Sequence, residues 1–178
     1  MMTQKRPQSN DYAPYYGKYV MLVPDGNFLE ILEAQLRDMK LLLEPLTEQQ
    51  ADFRYAPGKW SIKETLGHIN DAERIFAVRI LRIARGDETP LPGFEQDDYV
   101  KVSNASSRKL SDLLEEFSAI RRATIALIRS LDDASWLRHG TASGNGVTVL
   151  AIAFIIAGHS LHHRKIFEEK YLPALSRA

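Results

Sequence analysis

Apolar residues recur at intervals of three and four along three stretches of the chain, which is the spacing of one buried face of an α-helix. This pattern predicts helices over residues 27–45, 62–85 and 107–131. The second helix has the clearest start, because Ser61 is followed three residues later by Glu64 in the arrangement of a capping box. Its last turn is followed by a glycine, which commonly ends a helix.

A fourth stretch is apolar on every side rather than along one stripe. It runs from Val147 to Ala157 with a candidate N-cap at Thr148, and it predicts a buried helix over residues 148–170. Its apolar part is too short to cross a bilayer, which takes about 20 residues. Four long helices, with no stretch that has the two-residue period of a strand, predict an all-α four-helix bundle with essentially no sheet.

The connecting segments are rich in proline, glycine and tyrosine. Residues 1–24 predict an extended arm, with room for one short turn, whose tyrosines pack onto a single bundle domain of residues 25–178, and the alternative is a disordered tail. Residues 87–106 predict a loop with one short helical turn near 95–100. Residues 132–147 predict a flexible connection at the mouth of a pocket, and their glycines lack the GxxxxGK[ST] pattern of a phosphate loop.

Three of the five histidines lie near the end of the fourth helix, and two of these, His159 and His163, are four residues apart. Residues at this spacing share a helix face, so the two imidazoles can hold one cation. A stable site needs a third ligand, for which His68 at the edge of the second helix's apolar stripe is the best candidate. Two interpretations remain open: a metal site, or hydrogen-bonded histidines in or beside the core.

The remaining two histidines are assigned other places. His139 is expected at the surface beside the glycine-rich connection. His162 directly precedes His163, so it points about 100° away from that residue. Because it also lies three residues after His159, the sequence leaves it as an alternative to His163.

Two carboxylates, Glu64 and Asp71, lie on the same side of the second helix as His68. In one interpretation they orient a ligand or transfer a proton. In the other they form a solvated helix face, which the pattern favours. The sequence therefore identifies no catalytic residue. We expect the solvated side of the third helix to carry its arginines, which are Arg121, Arg122 and Arg129.

Charge and cysteine content narrow the classes of function. Lysine plus arginine and aspartate plus glutamate both total 23, so no net positive field attracts nucleic acid. We expect neither a nucleic acid nor a membrane as partner. The chain has no cysteine, which excludes disulfides, thiolate ligands and a cysteine nucleophile. Together with the absence of a secretory signal pattern near Met1, this favours the cytoplasm.

The candidate ligands also select among metal chemistries. Di-iron bundles use Glu-x-x-His pairs, in which the two residues are three apart. Glu64 and His68 are four residues apart, so the sequence disfavours a di-iron site. No GxSxG motif supports a serine nucleophile. Three neutral histidines with an open position suit zinc, nickel or another late divalent ion. Such an ion can activate water or bind a thiolate or oxyanion substrate.

Two motifs resemble those of the DinB superfamily, and the resemblance extends over nearly the whole chain. They are the stretch RYAPGKWSIKE at residues 54–64 with Leu66-Gly67-His68, and Gly158-His159 with His162-His163. The resemblance implies a four-helix bundle, commonly dimeric, whose metal ligands are His68, His159 and His163. His162 matches a position that is often histidine but not usually a ligand. Ser160 stands where similar members often carry an acidic residue.

The DinB superfamily includes the YfiT-like proteins regarded as metal-dependent hydrolases and the bacillithiol and mycothiol transferases. The resemblance therefore implies a divalent-metal-dependent thiol S-transferase or hydrolase acting on a small molecule. The substrate could be a low-molecular-weight thiol, and the resemblance, with the aromatic arm, implies a homodimer. The alternative is a non-catalytic, stress-related bundle that binds a metal or a small molecule.

Overall fold

The computed structural model describes residues 5–176, and four long helices form its body. In chain order, the α-helices are α1 (Gly17–Val20), α2 (Phe28–Leu43), α3 (Glu48–Ala51), α4 (Ile62–Ala84), α5 (Gln96–Val102), α6 (Leu110–Arg129), α7 (Asp133–Trp136), α8 (Val149–Ile166) and α9 (Leu172–Leu175). Helix α4 packs against α6 and α8, and α2 packs against the same two helices, so α2 and α4 are diagonal neighbours. The predicted all-α four-helix bundle is confirmed. Between residues 5 and 176, no helix is both long and apolar enough to cross a membrane.

Side-chain caps fix the starts of the two helices that carry the candidate ligands. At the start of α4, Ser61 Oγ accepts from the backbone N–H of Glu64 at 3.1 Å, and the Glu64 carboxylate accepts from the N–H of Ser61 at 2.7 Å. This is the predicted capping box. At the start of α8, Thr148 Oγ1 accepts from the N–H of Ala151 at 3.0 Å. Helix α8 continues into a π-helical turn, Phe167–Tyr171, before α9 begins.

A buried polar layer separates two apolar clusters inside the bundle. On α2, for example, Gln35 lies between Leu32 of one cluster and Met39 of the other. The same alternation recurs on α6, where Arg121 follows Phe117 of one cluster and precedes Ile125 of the other. The main residues of the polar layer are Gln35, His68, Glu73, Arg121, His159 and His163.

One half of this layer is a network centred on Arg121. Its guanidinium donates to the Glu73 carboxylate from Nε at 2.8 Å and from Nη2 at 2.7 Å, and to Gln35 Oε1 at 2.7 Å. Gln35 in turn donates to the carbonyl oxygen of Ala157 on α8 at 3.2 Å. The expectation that Arg121 faces solvent is wrong, because this side chain is fully buried; Arg122 and Arg129 are exposed as predicted.

The prediction of essentially no sheet needs one correction. The connection between α7 and α8 is a hairpin of β1 (His139–Ala142) and β2 (Asn145–Thr148), paired antiparallel with His139 opposite Thr148. Ser143 and Gly144 both have positive φ, at 52° and 75°, as tight two-residue hairpin turns require. The strands are four residues long and each contains a glycine, so the sequence has no alternating apolar pattern that would predict them.

The N-terminal arm is partly helical rather than extended. A 3₁₀ turn, Pro14–Tyr16, leads into α1, and Tyr19 is buried against α8. The backbone of Tyr19 touches Gly158, where an added Cβ would overlap the Tyr19 carbonyl oxygen. Residues 1–4 of the predicted arm and residues 177–178 of the predicted bundle domain lie outside the described part of the chain.

Candidate metal centre

Helices α4 and α8 bring together the three histidines that the sequence singled out. His68 comes from α4, and His159 and His163 lie one turn apart on α8. The Nε2 atom of His159 lies 3.0 Å from Nε2 of His68 and 3.1 Å from Nε2 of His163. One nitrogen from each residue falls within 4.8 Å of the others. The three rings therefore present the same atom to a common point.

All three imidazoles are neutral over the physiological pH range because they are buried. Desolvation lowers the pKa of His68 to about 4. It also lowers the pKa of His159 and of His163 well below the ordinary value, and the neighbouring histidines lower both further. Neutral imidazole is the form that binds metal ions.

Hydrogen bonding alone does not satisfy this arrangement. A neutral His159 Nε2 offers either one proton or one lone pair, yet it faces two other Nε2 atoms at hydrogen-bond distance. A cation at 2.0–2.1 Å from each nitrogen satisfies all three, and tetrahedral ligands with such bonds lie ~3.3 Å apart. The observed separations are close to this value, so these residues fit a late divalent ion.

Neighbouring aromatic rings hold two of the histidines in place. The Trp60 ring centroid lies 4.9 Å from that of His68, and the Tyr19 ring meets His159 edge-on at 5.4 Å. Nδ1 of His163 is buried and has no hydrogen-bond partner among residues 5–176, so no bond at this atom orients the ring.

The other two histidines do not contribute a nitrogen to the cluster. His162 is half-buried beside the cluster, with its ring against Tyr19 at 5.4 Å and 5.2 Å from that of His163, but its nitrogens do not join the three that converge. His139 is exposed on β1, as the sequence predicted. The geometry therefore brings His163, and not His162, to the other two rings.

The two carboxylates considered beside His68 are engaged elsewhere. Glu64 receives two hydrogen bonds from Arg54, one of them at 2.8 Å, in addition to its role in the cap. Burial opposes ionisation of Glu64, but the bonds from Arg54 and Ser61 outweigh it and lower the pKa. Asp71 lies 3.4 Å from Arg74, and desolvation raises its pKa. Neither carboxylate belongs to the group that could hold an ion.

Two cavities reach the histidines from different sides. The first has a volume of about 340 Å³ and includes His68 and His159 in its wall. The second, of about 350 Å³, is lined by His163, Lys59 and Tyr55 among others. Grooves of about 400 and 540 Å³ lie elsewhere on the bundle, and no histidine lines either. The sequence did not predict the arm and loop residues that line the first cavity, because those segments have no regular pattern.

The chain belongs to the DinB superfamily, whose family model matches residues 31–167. A curated relative, YfiT of Bacillus subtilis (strain 168), is 21% identical over 139 residues, which cover 76% of this chain and 78% of YfiT. The solved structure of YfiT superposes with a TM-score of 0.74 at 19% identity, covering 98% of this chain and 93% of the other. YfiT is described as a probable metal-dependent hydrolase with an unusual four-helix bundle topology.

Proposed function

We propose that this protein is a metal-dependent enzyme that hydrolyses a small molecule, with zinc or nickel held by His68, His159 and His163. The observation that supports this most strongly is the convergence of three neutral imidazole nitrogens on one point. A cavity of about 340 Å³ adjoins two of these rings, so a substrate can approach them. Three nitrogen ligands leave a tetrahedral position open, which is the arrangement of catalytic sites.

A bound ion would supply Lewis-acid chemistry, which activates water and polarises the bond to be broken. The protein's own contribution is to fix the ligands before the ion binds. The capping box and Trp60 hold the start of α4 and the His68 ring, and Tyr19 holds the His159 ring. Prior fixation of this kind reduces the cost of organising the site. The description of YfiT as a probable metal-dependent hydrolase supports hydrolysis as the reaction.

A second candidate function is transfer to a low-molecular-weight thiol. The observation that favours it is the second cavity, which reaches His163 from another side and has room for a co-substrate. Lys59 on its wall provides a positive charge near the place where a thiolate would enter. Hydrolysis needs only water and one substrate, whereas transfer would use both cavities.

Activity assays with and without a chelator test these functions. Panels of esters and amides would be compared with electrophiles offered together with small thiols, before and after adding back zinc or nickel. Chelator-sensitive turnover in water alone supports hydrolysis, and turnover only with a thiol supports transfer. Stoichiometric metal without turnover in either panel contradicts both, and supports the non-catalytic binding protein that the sequence left as an alternative.

The homodimer implied by the resemblance is a further part of this proposal. Val78 and Leu81 are exposed on α4 beside an apolar groove of about 540 Å³ between α4 and α6, a surface suited to self-association. Light scattering across micromolar concentrations should give the mass of two chains. A constant monomer mass would contradict the dimer.

A further inference from the structure

We propose that the cavity beside His68 and His159 is a specificity pocket for an uncharged aromatic ring of the substrate. This inference rests on the proposed function, because the ring would be attached to the group that reaches the metal. The residues that we infer to contact the ring are Tyr16, Phe76 and Phe94.

Aromatic side chains dominate the wall of this cavity. Phe76 belongs to the bundle, Tyr15, Tyr16 and Tyr19 come from the N-terminal arm, and Phe94 comes from the loop before α5. The volume of about 340 Å³ lies at the lower end of the range of roughly 300–1,000 Å³ typical of small-molecule sites. The bundle thus supplies the candidate metal ligands, while segments outside the long helices supply most of the pocket.

The rings are spaced as in aromatic clusters. Tyr16 and Phe76 meet edge-to-face with centroids 6.3 Å apart, and Tyr16 lies 6.4 Å from Tyr19. These distances fall within the range of roughly 4.5–7 Å over which aromatic rings attract one another. A substrate ring in the cavity can continue the same edge-to-face or offset pattern.

The charges around the cavity argue against a charged group. The Lys18 ammonium lies 4.0 Å from the ring centre of Tyr15 and 4.9 Å from that of Tyr19, and the Arg79 guanidinium lies 5.5 Å from that of Phe76. Because cations already lie over these rings, a second cation would be repelled. The carboxylate of Glu95 on the cavity wall disfavours an anion in turn. A neutral ring avoids both penalties.

The far wall of the pocket is held in place by hydrogen bonds. Arg79 donates to the carbonyl oxygen of Pro92 at 2.7 Å and to Ser143 Oγ at 3.0 Å. Leu91 pairs with the tip of the hairpin through its N–H to Thr141 and its carbonyl to Ser143. These contacts fix the loop that carries Phe94 before any ligand arrives, which lowers the entropy cost of binding.

Two hydroxamates test the pocket by affinity rather than by turnover. Benzohydroxamate and acetohydroxamate carry the same metal-chelating group and differ in a phenyl against a methyl substituent. Calorimetric titration of the zinc-loaded protein should show benzohydroxamate binding roughly tenfold tighter or more, as expected for one well-packed ring. Cyclohexanehydroxamate should bind more weakly than the phenyl compound, and equal affinity would overturn the aromatic assignment.

Single substitutions then locate the ring. Tyr16→Ala and Phe94→Ala should each reduce the phenyl-to-methyl affinity ratio at least about threefold with unchanged zinc content, because each removes one ring contact. Tyr55→Ala is the matched control, since this tyrosine lines the other cavity, and it should keep the parent ratio. Tyr16 and Phe94 are both half-buried and lie on different segments, so if one variant fails to fold the other still tests the pocket.

The outcomes separate the pocket from the proposed function. Equal affinity of the two hydroxamates for the parent protein, or a parent-like ratio in the Phe94→Ala variant, overturns the pocket while the open metal position stands. Failure of both compounds to bind the zinc-loaded protein contradicts the open position itself, and the pocket proposal falls with it.

Discussion

Gly158, the residue immediately before His159 on α8, lies directly against the backbone of Tyr19. The N-terminal arm therefore packs against α8 at the same turn that carries a candidate ligand. Tyr19 also sets its ring against His159 and His162, at 5.4 Å from each. The position of the arm and the geometry of the histidine cluster thus depend on the absence of a side chain at residue 158.

Substitution of Gly158 by alanine should destabilise the protein although alanine favours helices. The added methyl group would overlap the Tyr19 carbonyl oxygen, and overpacking of this kind costs about 1–3 kcal/mol. The gain in helix propensity is at most about 1 kcal/mol. Urea unfolding followed by circular dichroism measures the difference.

Gly146→Ala is the control for this substitution. A Cβ at Gly146 would meet no atom within 4 Å, so the free energy of unfolding should change by no more than about 0.5 kcal/mol. If Gly158→Ala is as stable as Gly146→Ala, the close approach of the arm to α8 is wrong.

The buried Arg121 should matter more to stability than an exposed arginine on the same helix. Arg121→Met would leave the Glu73 carboxylate buried without its ion-pair partner, which costs about 3–5 kcal/mol. Arg129→Met removes only an exposed pair with Glu33, worth about 0–1 kcal/mol. Equal urea midpoints for the two variants would contradict the network.

A double substitution separates loss of the pair from loss of packing. Arg121→Met combined with Glu73→Leu leaves no unpaired charge at the site of this ion pair, so the double variant should be more stable than the Arg121→Met variant. A double variant that is less stable than this single variant would show that packing, and not the unpaired charge, accounts for the cost.

The metal-free protein should lose stability as the pH falls from about 6.5 toward 4. The pKa of His68 is lowered to about 4 by burial, so in this window the unfolded chain binds a proton at His68 that the folded chain does not. The free energy of unfolding therefore rises with pH across the window, and the contribution of His68 is about 3 kcal/mol when the window is crossed completely.

Between pH 6.5 and 5, the change in the free energy of unfolding comes mainly from the histidines. Carboxylates with a lowered pKa, such as Glu64 and Glu116, contribute mainly below about pH 4.5. Urea midpoints measured at pH 7, 6 and 5 should fall for the parent protein and fall less steeply for His68→Gln. A midpoint that stays constant between pH 7 and 5 would contradict the burial of neutral histidines.

The periodic parts of the chain were predictable, and so were helix ends that carry a cap signal. Helices α2 and α4 begin and end within two residues of the predicted bounds, because Asn27, Ser61 and Gly86 carry recognisable cap signals. The hairpin was not predictable, because its register depends on the Ser143–Gly144 turn and on pairing with Leu91 rather than on an apolar pattern.

The candidate ligands were predictable from spacing on α8 and from the resemblance, but their surroundings were not. Spacing left His162 as an alternative to His163, and only the folded structure separates the two, because Nε2 of His163 lies 3.1 Å from that of His159 while His162 is outside the group. Arg121 was assigned to solvent because charged residues are rarely buried without a partner, and its partners Glu73 and Gln35 lie on other helices. Contacts between elements of this kind leave no local signal.

The most direct test is the metal content of protein purified without an affinity tag, measured by mass spectrometry for the parent and for single histidine-to-alanine variants. We predict one divalent ion per parent chain, with its loss in His68→Ala, His159→Ala and His163→Ala and its retention in His162→Ala. Loss from His162→Ala with retention in His163→Ala would show that the choice between these neighbours is wrong. Metal content equal to that of the parent in all four variants would contradict the site, and the three rings would then be core histidines.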